Sequence, residues 1–517
     1  MAAASDQPFV MRSVRLLALF AIAGLMTAGA LVDLPDRTRS EAADRHVPAL
    51  AAPTAAVNTW FCPGGSGPSG AAELTIVIAN ASREPRSVDV QVLSGGAGAD
   101  DPVSQTVELA PLEHLLVRPS DAAPDASWVA AMVETRSSDV IVEQILTAPQ
   151  AGLGRSLCLT RTAESWVVSN GATRAAVEGE RFVLMLLNPF PDVAVADIEL
   201  VADVGRDSIE GLVVPAQRVV AVDVTEEVTV AATVAAFVEV VSGRVAASWI
   251  QVADGPNSGS GTRAAPAAPG SARLWHLPVA GVGPGRRDIV AVSNPSRSDV
   301  AEVDLEILTE DPAVRVSPIE LTVRAGRTAL VDLSEQARLE GVGNFSVAVR
   351  SLNGAPVAAS VTSVTVAGSA AADGDPADVA PEGPRFAETG VAGSAATSGA
   401  DAASKRWLVP VEATERDLEA DGSAGGSLTV VNPSALGIVE ATVSVAGELL
   451  RSVELGPGRS RTLPLPPLRE AAGVDRFVVE VAASSPVIVG RELVGLTSRS
   501  ASLGAAVAET APVVAIR

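Results

Sequence analysis

The chain has no tyrosine, one lysine (Lys405), two cysteines and three histidines in 517 residues. A single lysine removes the phosphate-binding lysine of a P-loop, a Ser-x-x-Lys nucleophile pair and most Schiff-base chemistry. There is no Gly-x-Ser-x-Gly, His-Glu-x-x-His or Gly-x-x-x-x-Gly-Lys. Aromatic residues make up 3% of the chain, which leaves little for a sugar-binding platform. Basic residues number 38 against 61 acidic ones, a net charge of -23, so the surface should repel nucleic acid and anionic lipid headgroups. No catalytic residue, cofactor site or metal site is assigned, and no enzyme is expected.

What is present is a repeat. The opening Trp-x-x-Pro occurs as Trp60-Phe61-Cys62-Pro63, Trp275-His276-Leu277-Pro278 and Trp407-Leu408-Val409-Pro410, and without the proline as Trp166-Val167-Val168-Ser169. An asparagine turn follows each tryptophan, at Asn80, Asn188, Asn294 and Asn432. Four units of about 90 to 105 residues match the usual size of a β-sandwich domain. The cleanest copy offers seven candidate strands, at Leu274 to Val279, Ile289 to Ser293, Val300 to Leu308, Ile319 to Arg324, Thr328 to Leu333, Phe345 to Leu352 and Val357 to Val366. Val303, Leu305 and Ile307 alternate with Glu302, Asp304 and Glu306, which predicts one buried and one wet face.

At the N-terminus, Arg12 and Arg15 precede the uncharged run Leu16 to Val32, and Ala28-Gly29-Ala30 resembles a small-x-small cleavage site. Residues 1–33 therefore read as a signal anchor or a cleaved signal peptide, and both place the remainder outside the cytoplasmic membrane. Retained, the segment 16–32 makes a single-pass membrane protein; cleaved, a secreted one. A spacer follows at 34–57, then sandwiches at 58–163 and 164–253, a flexible linker at 254–272, a sandwich at 273–367, a disordered linker at 368–404, a sandwich at 405–497 and a tail at 498–517. The first two sandwiches are expected to share a fixed interface, and the fourth to be a tethered domain.

Cys62 and Cys158 lie in an exported segment, so a disulfide is expected. The four tryptophans recur at one point near the first strand of each unit, as a core-packing residue would. The asparagines are read as turn residues whose side chains satisfy backbone groups. His46, His114 and His276 are read as structural or solvated. Asp417-Leu418-Glu419-Ala420-Asp421-Gly422 imitates a calcium loop, but its twelfth place is Leu428, so it reads as a hairpin loop. Asp100-Asp101 and Glu310-Asp311 read as solvated loop carboxylates, with weak calcium binding as the alternative.

At Trp60-Phe61-Cys62-Pro63-Gly64, with the later Cys158, the chain resembles a family of actinobacterial exported or membrane-anchored proteins classed as a domain of unknown function. The resemblance spans most of the chain after residue 55 and implies an envelope location with no known activity. The expected fold is all-β, four tandem immunoglobulin-like or fibronectin-like sandwiches behind an N-terminal membrane segment. The alternative is a closed β-propeller, against which the two long linkers argue. The expected function is a non-enzymatic envelope scaffold contacting envelope proteins; the alternative is a ligand-binding accessory protein for cell-wall glycan or peptide.

Overall fold

A computed structural model describes residues 47, 49–50, 57–67, 70–148, 151–177, 180–253, 261–283, 286–366, 391–412, 425–494 and 499–508. The apolar run at 16–32, His46 and the calcium-like loop at Asp417 to Gly422 lie outside the described residues. Within them the protein is all-β.

Unit three shows the plan. All seven expected strands form, running Leu274–Gly281, Arg286–Asn294, Ala301–Thr309, Ile319–Val323, Arg327–Asp332, Asn344–Ser351 and Ala358–Val366. The alternation in the third strand does what its period dictates: Val303 and Leu305 are fully buried, while Glu302 is exposed. An eighth strand, Val391–Ser398, pairs antiparallel with the seventh, Val361 opposite Thr397. The eight strands form two four-stranded sheets, one in the order first, sixth, third, fourth and the other fifth, second, seventh, eighth. Unit two has the same order. Ala325-Gly326-Arg327 is a tight turn, with Gly326 at φ +57°, and it carries the chain from one sheet to the other.

This order differs from the immunoglobulin one, in which the first strand lies beside the second and the sixth beside the seventh. Here Trp275 of the first strand faces Val349 of the sixth, and Val290 of the second faces Val361 of the seventh. Units one and four vary the plan. In unit one a parallel bridge between Ser66 and Glu73 joins the two sheets into one curled sheet. In unit four the sixth and seventh strands are one continuous strand, Arg476–Val494, that pairs with Trp407 in one sheet and with Val430 in the other.

The four eighth strands, Gly152–Leu157, Gly261–Pro266, Val391–Ser398 and Arg499–Leu503, pack on one another in a closed circuit. Those of units one and three each contact those of units two and four, so the four units form a ring around these strands. Backbones come very close there: a Cβ on Gly154 would stand 2.8 Å from the Thr262 carbonyl oxygen. Only glycine tolerates that approach.

Two expectations are thereby corrected, the linkers and the tethered fourth unit. The segments read as linkers at 254–272 and 368–404 end in the eighth strands of units two and three. These eighth strands satisfy the inner edges of their sheets, so unit four is part of a ring and not a tethered domain. The tail at 498–517 supplies the eighth strand of unit four and a further short strand, Ala505–Val507, beside Trp407 and Leu408. The spacer at 34–57 is also drawn in, since Ala49 and Leu50 pair in parallel with Ala506 and Val507, and Leu50 is fully buried. Chain segments from both ends thus meet where unit four closes on unit one.

The core is continuous from unit one into unit two, and it takes in Leu408 and Val478 of unit four. The fixed interface expected between units one and two is present. At the closing seam, buried Arg491 of unit four is ion-paired to buried Glu143 of unit one and also donates to the Pro410 carbonyl, while Arg155 stands 3.9 Å from the same carboxylate. Removing one member of a buried pair leaves its partner as an uncompensated charge, which typically costs about 3–5 kcal/mol. Arg491→Met leaves Glu143 only its longer contact with Arg155 and should lower unfolding free energy by up to about 3–5 kcal/mol in urea titration. A change below about 1 kcal/mol would show that closure does not depend on this contact.

Candidate functional site

The residues singled out by the repeat fall into two structural sets. Trp60, Trp166, Trp275 and Trp407 are all fully buried. In units two to four the indole N–H donates to the carbonyl of the residue at the start of the seventh-strand segment: Val245 at 3.1 Å, Val357 at 2.5 Å and Val487 at 2.9 Å. Trp60 has no such partner for its indole nitrogen. Unit one instead carries the disulfide, Cys62 to Cys158, with Cα atoms 4.7 Å apart. Cross-linking residues 96 apart contributes about 4 to 5 kcal/mol in the chain-entropy model.

The four asparagines are fully buried. Each accepts from the backbone N–H two residues on, at 3.0 Å, closing the turn locally. Each also donates to a carbonyl at the far end of the loop between its unit's second and third strands and to a carbonyl at the end of the fourth. Asn294 bonds the Asp299 oxygen at 2.7 Å and the Val323 oxygen at 3.0 Å, and Asn80 bonds those of Glu84 and Ala110. The side chain pins two loops that the sequence separates by about 20 to 30 residues. Turn chemistry alone accounts for half of this role.

The acidic loops are seam elements. The Asp101 carboxylate meets Arg218 of unit two at 3.4 Å, and Arg218 also donates to the Asp100 carbonyl. In unit three, the Asp311 and Pro312 carbonyls accept from Arg459 of unit four, and Glu310 accepts from the Thr462 N–H. The other two seams use arginine as well: Arg206 of unit two donates to the Gly326 oxygen at 2.8 Å, and Arg83 of unit one to the Ala446 oxygen at 2.8 Å. Among the described residues no cluster of three or more His, Cys, Asp or Glu side chains could hold a metal ion.

A second group of charges joins the half-buried Arg286 to the buried Asp288, Glu492 and Arg499. Arg286 of unit three contacts Asp288 at 2.6 Å and Glu492 of unit four at 2.9 Å, and Glu492 also pairs with Arg499 at 2.7 Å. Burial alone would push Arg286 down, and the two carboxylates outweigh it, so its pKa lies above the ordinary arginine value. Burial likewise pushes Glu492 up, and Arg286 with Arg499 outweighs it, so this carboxyl stays below its usual range. Arg263 is buried and pushed down to about 10 by desolvation, with Glu180 opposing the shift, and it remains a cation at neutral pH. None of these was singled out from the sequence. The available signal was an ionisable residue in a strand whose neighbours are buried on both faces, as in Val487-Ile488-Val489-Gly490-Arg491.

His276 is buried on the first strand of unit three, where its backbone pairs with Ala400. Desolvation, reinforced by Arg350 and opposed by Glu306, lowers its pKa to about 4. His114, on the edge strand of unit one, is lowered to about 4 as well, mainly by burial. Both imidazoles are therefore neutral at pH 7.

No known family model matches the chain, and no curated protein matches it. Among solved structures, the chain is similar to one described as "Crystal Structure of Thermotoga maritima 1070", with 19% sequence identity and a TM-score of 0.18, covering 20% of this chain and 94% of that one. A likeness of this size carries no argument.

The His276 shift has a checkable consequence. A histidine held neutral in the fold and protonated when unfolded contributes no penalty above pH 6.5; stability falls as pH drops from 6.5 toward about 4. The loss from His276 is roughly 3 kcal/mol. Thermal melts of His276→Gln should show a shallower decline across that window than the parent protein, and equal slopes would refute the assignment.

Proposed function

We propose that the protein is a non-enzymatic scaffold of the cell envelope, held outside the cytoplasmic membrane by its N-terminal segment, which docks another envelope protein. The observation that carries this reading is a ring of four units that presents the same loop four times with different tips. The loop after Asn188 exposes Phe190 and Val193, at 40% and 50%, and the loop after Asn432 exposes Leu436 and Ile438, at 84% and 63%. In units one and three the corresponding loops carry Arg83 and Arg297. A buried asparagine fixes each loop, so a partner meets a preorganised surface and little ordering entropy is lost on docking.

The sandwich reading of each unit and the envelope-family resemblance belong to this proposal. Paired four-stranded sheets with shared cores support the first, although the strand order is not that of an immunoglobulin domain. The Trp60 to Gly64 opening and its bond to Cys158 support the second. The ring also changes which experiment is informative. Deleting unit four would break the closing seam and its buried charges, so loss of binding by that deletion would say nothing about contact.

Point changes at the exposed loop avoid that problem. The full-length chain should recover one envelope protein reproducibly from native envelope extract, and the Leu436→Ser/Ile438→Ser double variant should lose it with an unchanged melting temperature. Recovery that is equal for the variant and the parent, or the absence of any partner, would reject the scaffold reading.

A further inference from the structure

Six tryptophans are present, and five of them are buried. The sixth, Trp128, is half-buried and lines a cleft of about 480 Å³ at the junction of units one and two. That volume falls within the range of about 300–1,000 Å³ usual for small-ligand sites. From the residues around the indole we propose that this cleft binds a neutral saccharide. The inference goes beyond the scaffold reading and does not depend on it.

The aromatic wall is fixed by the fold. Trp128 opens the sixth strand of unit one and lies between Ser66 of the first strand and Gly95 of the third. Next to it, Gly96 leaves the ring edge uncovered, since a Cβ there would come within 3.1 Å of Trp128 Cδ1. The indole makes no hydrogen bond with the described residues, so its N–H is available to a ligand. An indole combines a broad apolar face with one donor, which suits a partner that is apolar on one face and hydroxylated at its edge. A pyranose ring has that character.

The polar wall comes from unit two. Asp223 accepts from the Thr225 N–H at 3.0 Å, which orients the carboxylate, and its second oxygen lies 3.3 Å from Arg181 Nε. The Arg181 side chain stays 43% exposed, so its guanidinium borders the cleft as well as the carboxylate. A fixed carboxylate beside a part-exposed guanidinium offers an acceptor and donors side by side, the complement of adjacent hydroxyl groups. Asp125 and Ser127 on the unit-one side add an acceptor and a hydroxyl, and Val183 contributes an apolar patch.

Charge narrows the ligand class. Two carboxylates and an overall charge of -23 disfavour phosphates and acidic sugars. Arg181 disfavours an organic cation stacked on the same indole. A neutral, hydroxyl-rich ring meets neither penalty. Because the two walls belong to different units, the site exists only while units one and two are packed together. The shared core and the Gly95 contact hold them so: a Cβ on Gly95 would stand 1.8 Å from the Val219 oxygen of unit two.

The test is titration of the full-length chain with chitotetraose and a panel of other neutral oligosaccharides, read by tryptophan fluorescence and calorimetry. Saturable binding of at least one of them is expected. Trp128→Ala and Arg181→Ala should each weaken it at least tenfold, and Trp128→Phe, which keeps an aromatic face in the same packing, should weaken it less than Trp128→Ala. Arg181 is surface-exposed, so its variant should melt with the parent and separates ligand contact from misfolding. If no neutral oligosaccharide binds, if Arg181→Ala binds like the parent, or if choline binds in preference, the proposal is overturned.

Discussion

A four-stranded antiparallel sheet has two edges, and each presents unpaired N–H and C=O groups that must find water, another strand or a partner chain. In this protein the edge strand next to the seventh in all four units turns toward a common centre, where the eighth strands pack on one another. Closure covers four potential sites of edge-to-edge association at once. It also decides what lies between units. Between units two and three and between units three and four, the strands Gly261–Pro266 and Val391–Ser398 hold position.

Closure brings charge into places that strands bury on both faces. Glu143 with Arg155 and Arg491, and Glu492 with Arg286 and Arg499, are groups in which every member has an opposite charge within 4 Å. Buried pairs of this kind add little net stability over apolar packing, but they penalise any arrangement that separates them. In a chain made of four similar units, that penalty distinguishes neighbours. Glu143 belongs to unit one and Arg491 to unit four, so the pair forms only when the first and last units meet. Arginine suits the seams because its rigid fork can engage a carboxylate and a carbonyl together, as Arg218 and Arg491 both do.

The repeat residues serve the inside of each unit. In units two to four a buried tryptophan bridges the first strand to the seventh through its indole N–H, and in all four a buried asparagine ties the loop after the second strand to the end of the fourth. Both connect elements distant in sequence, and both leave the outer loop tips free to vary. The copies differ at tips and seams, as between Phe190 and Leu436 or at the half-buried Trp128 of the first seam.

Several features were legible without a structure because they depend on local physics. Period-two alternation marked the strands of unit three within three residues at their ends, the recurrence of Trp60, Trp166, Trp275 and Trp407 marked a core position, and the bond between the two cysteines, Cys62 and Cys158, was expected. What stayed hidden was non-local. Gly261–Pro266 and Val391–Ser398 are short and small-residued, and much of their burial comes from strands of other units, 111 residues away in the case of Thr262 and Ala151, so composition alone read them as linkers. The strand order was likewise a matter of which edges met, since alternation specifies a strand's two faces and says nothing of its partner. Sequence by itself determined four β units, their internal cores and their disulfide; tertiary structure decided that the units close into a ring, because pairing and charge burial between distant segments have no local signature.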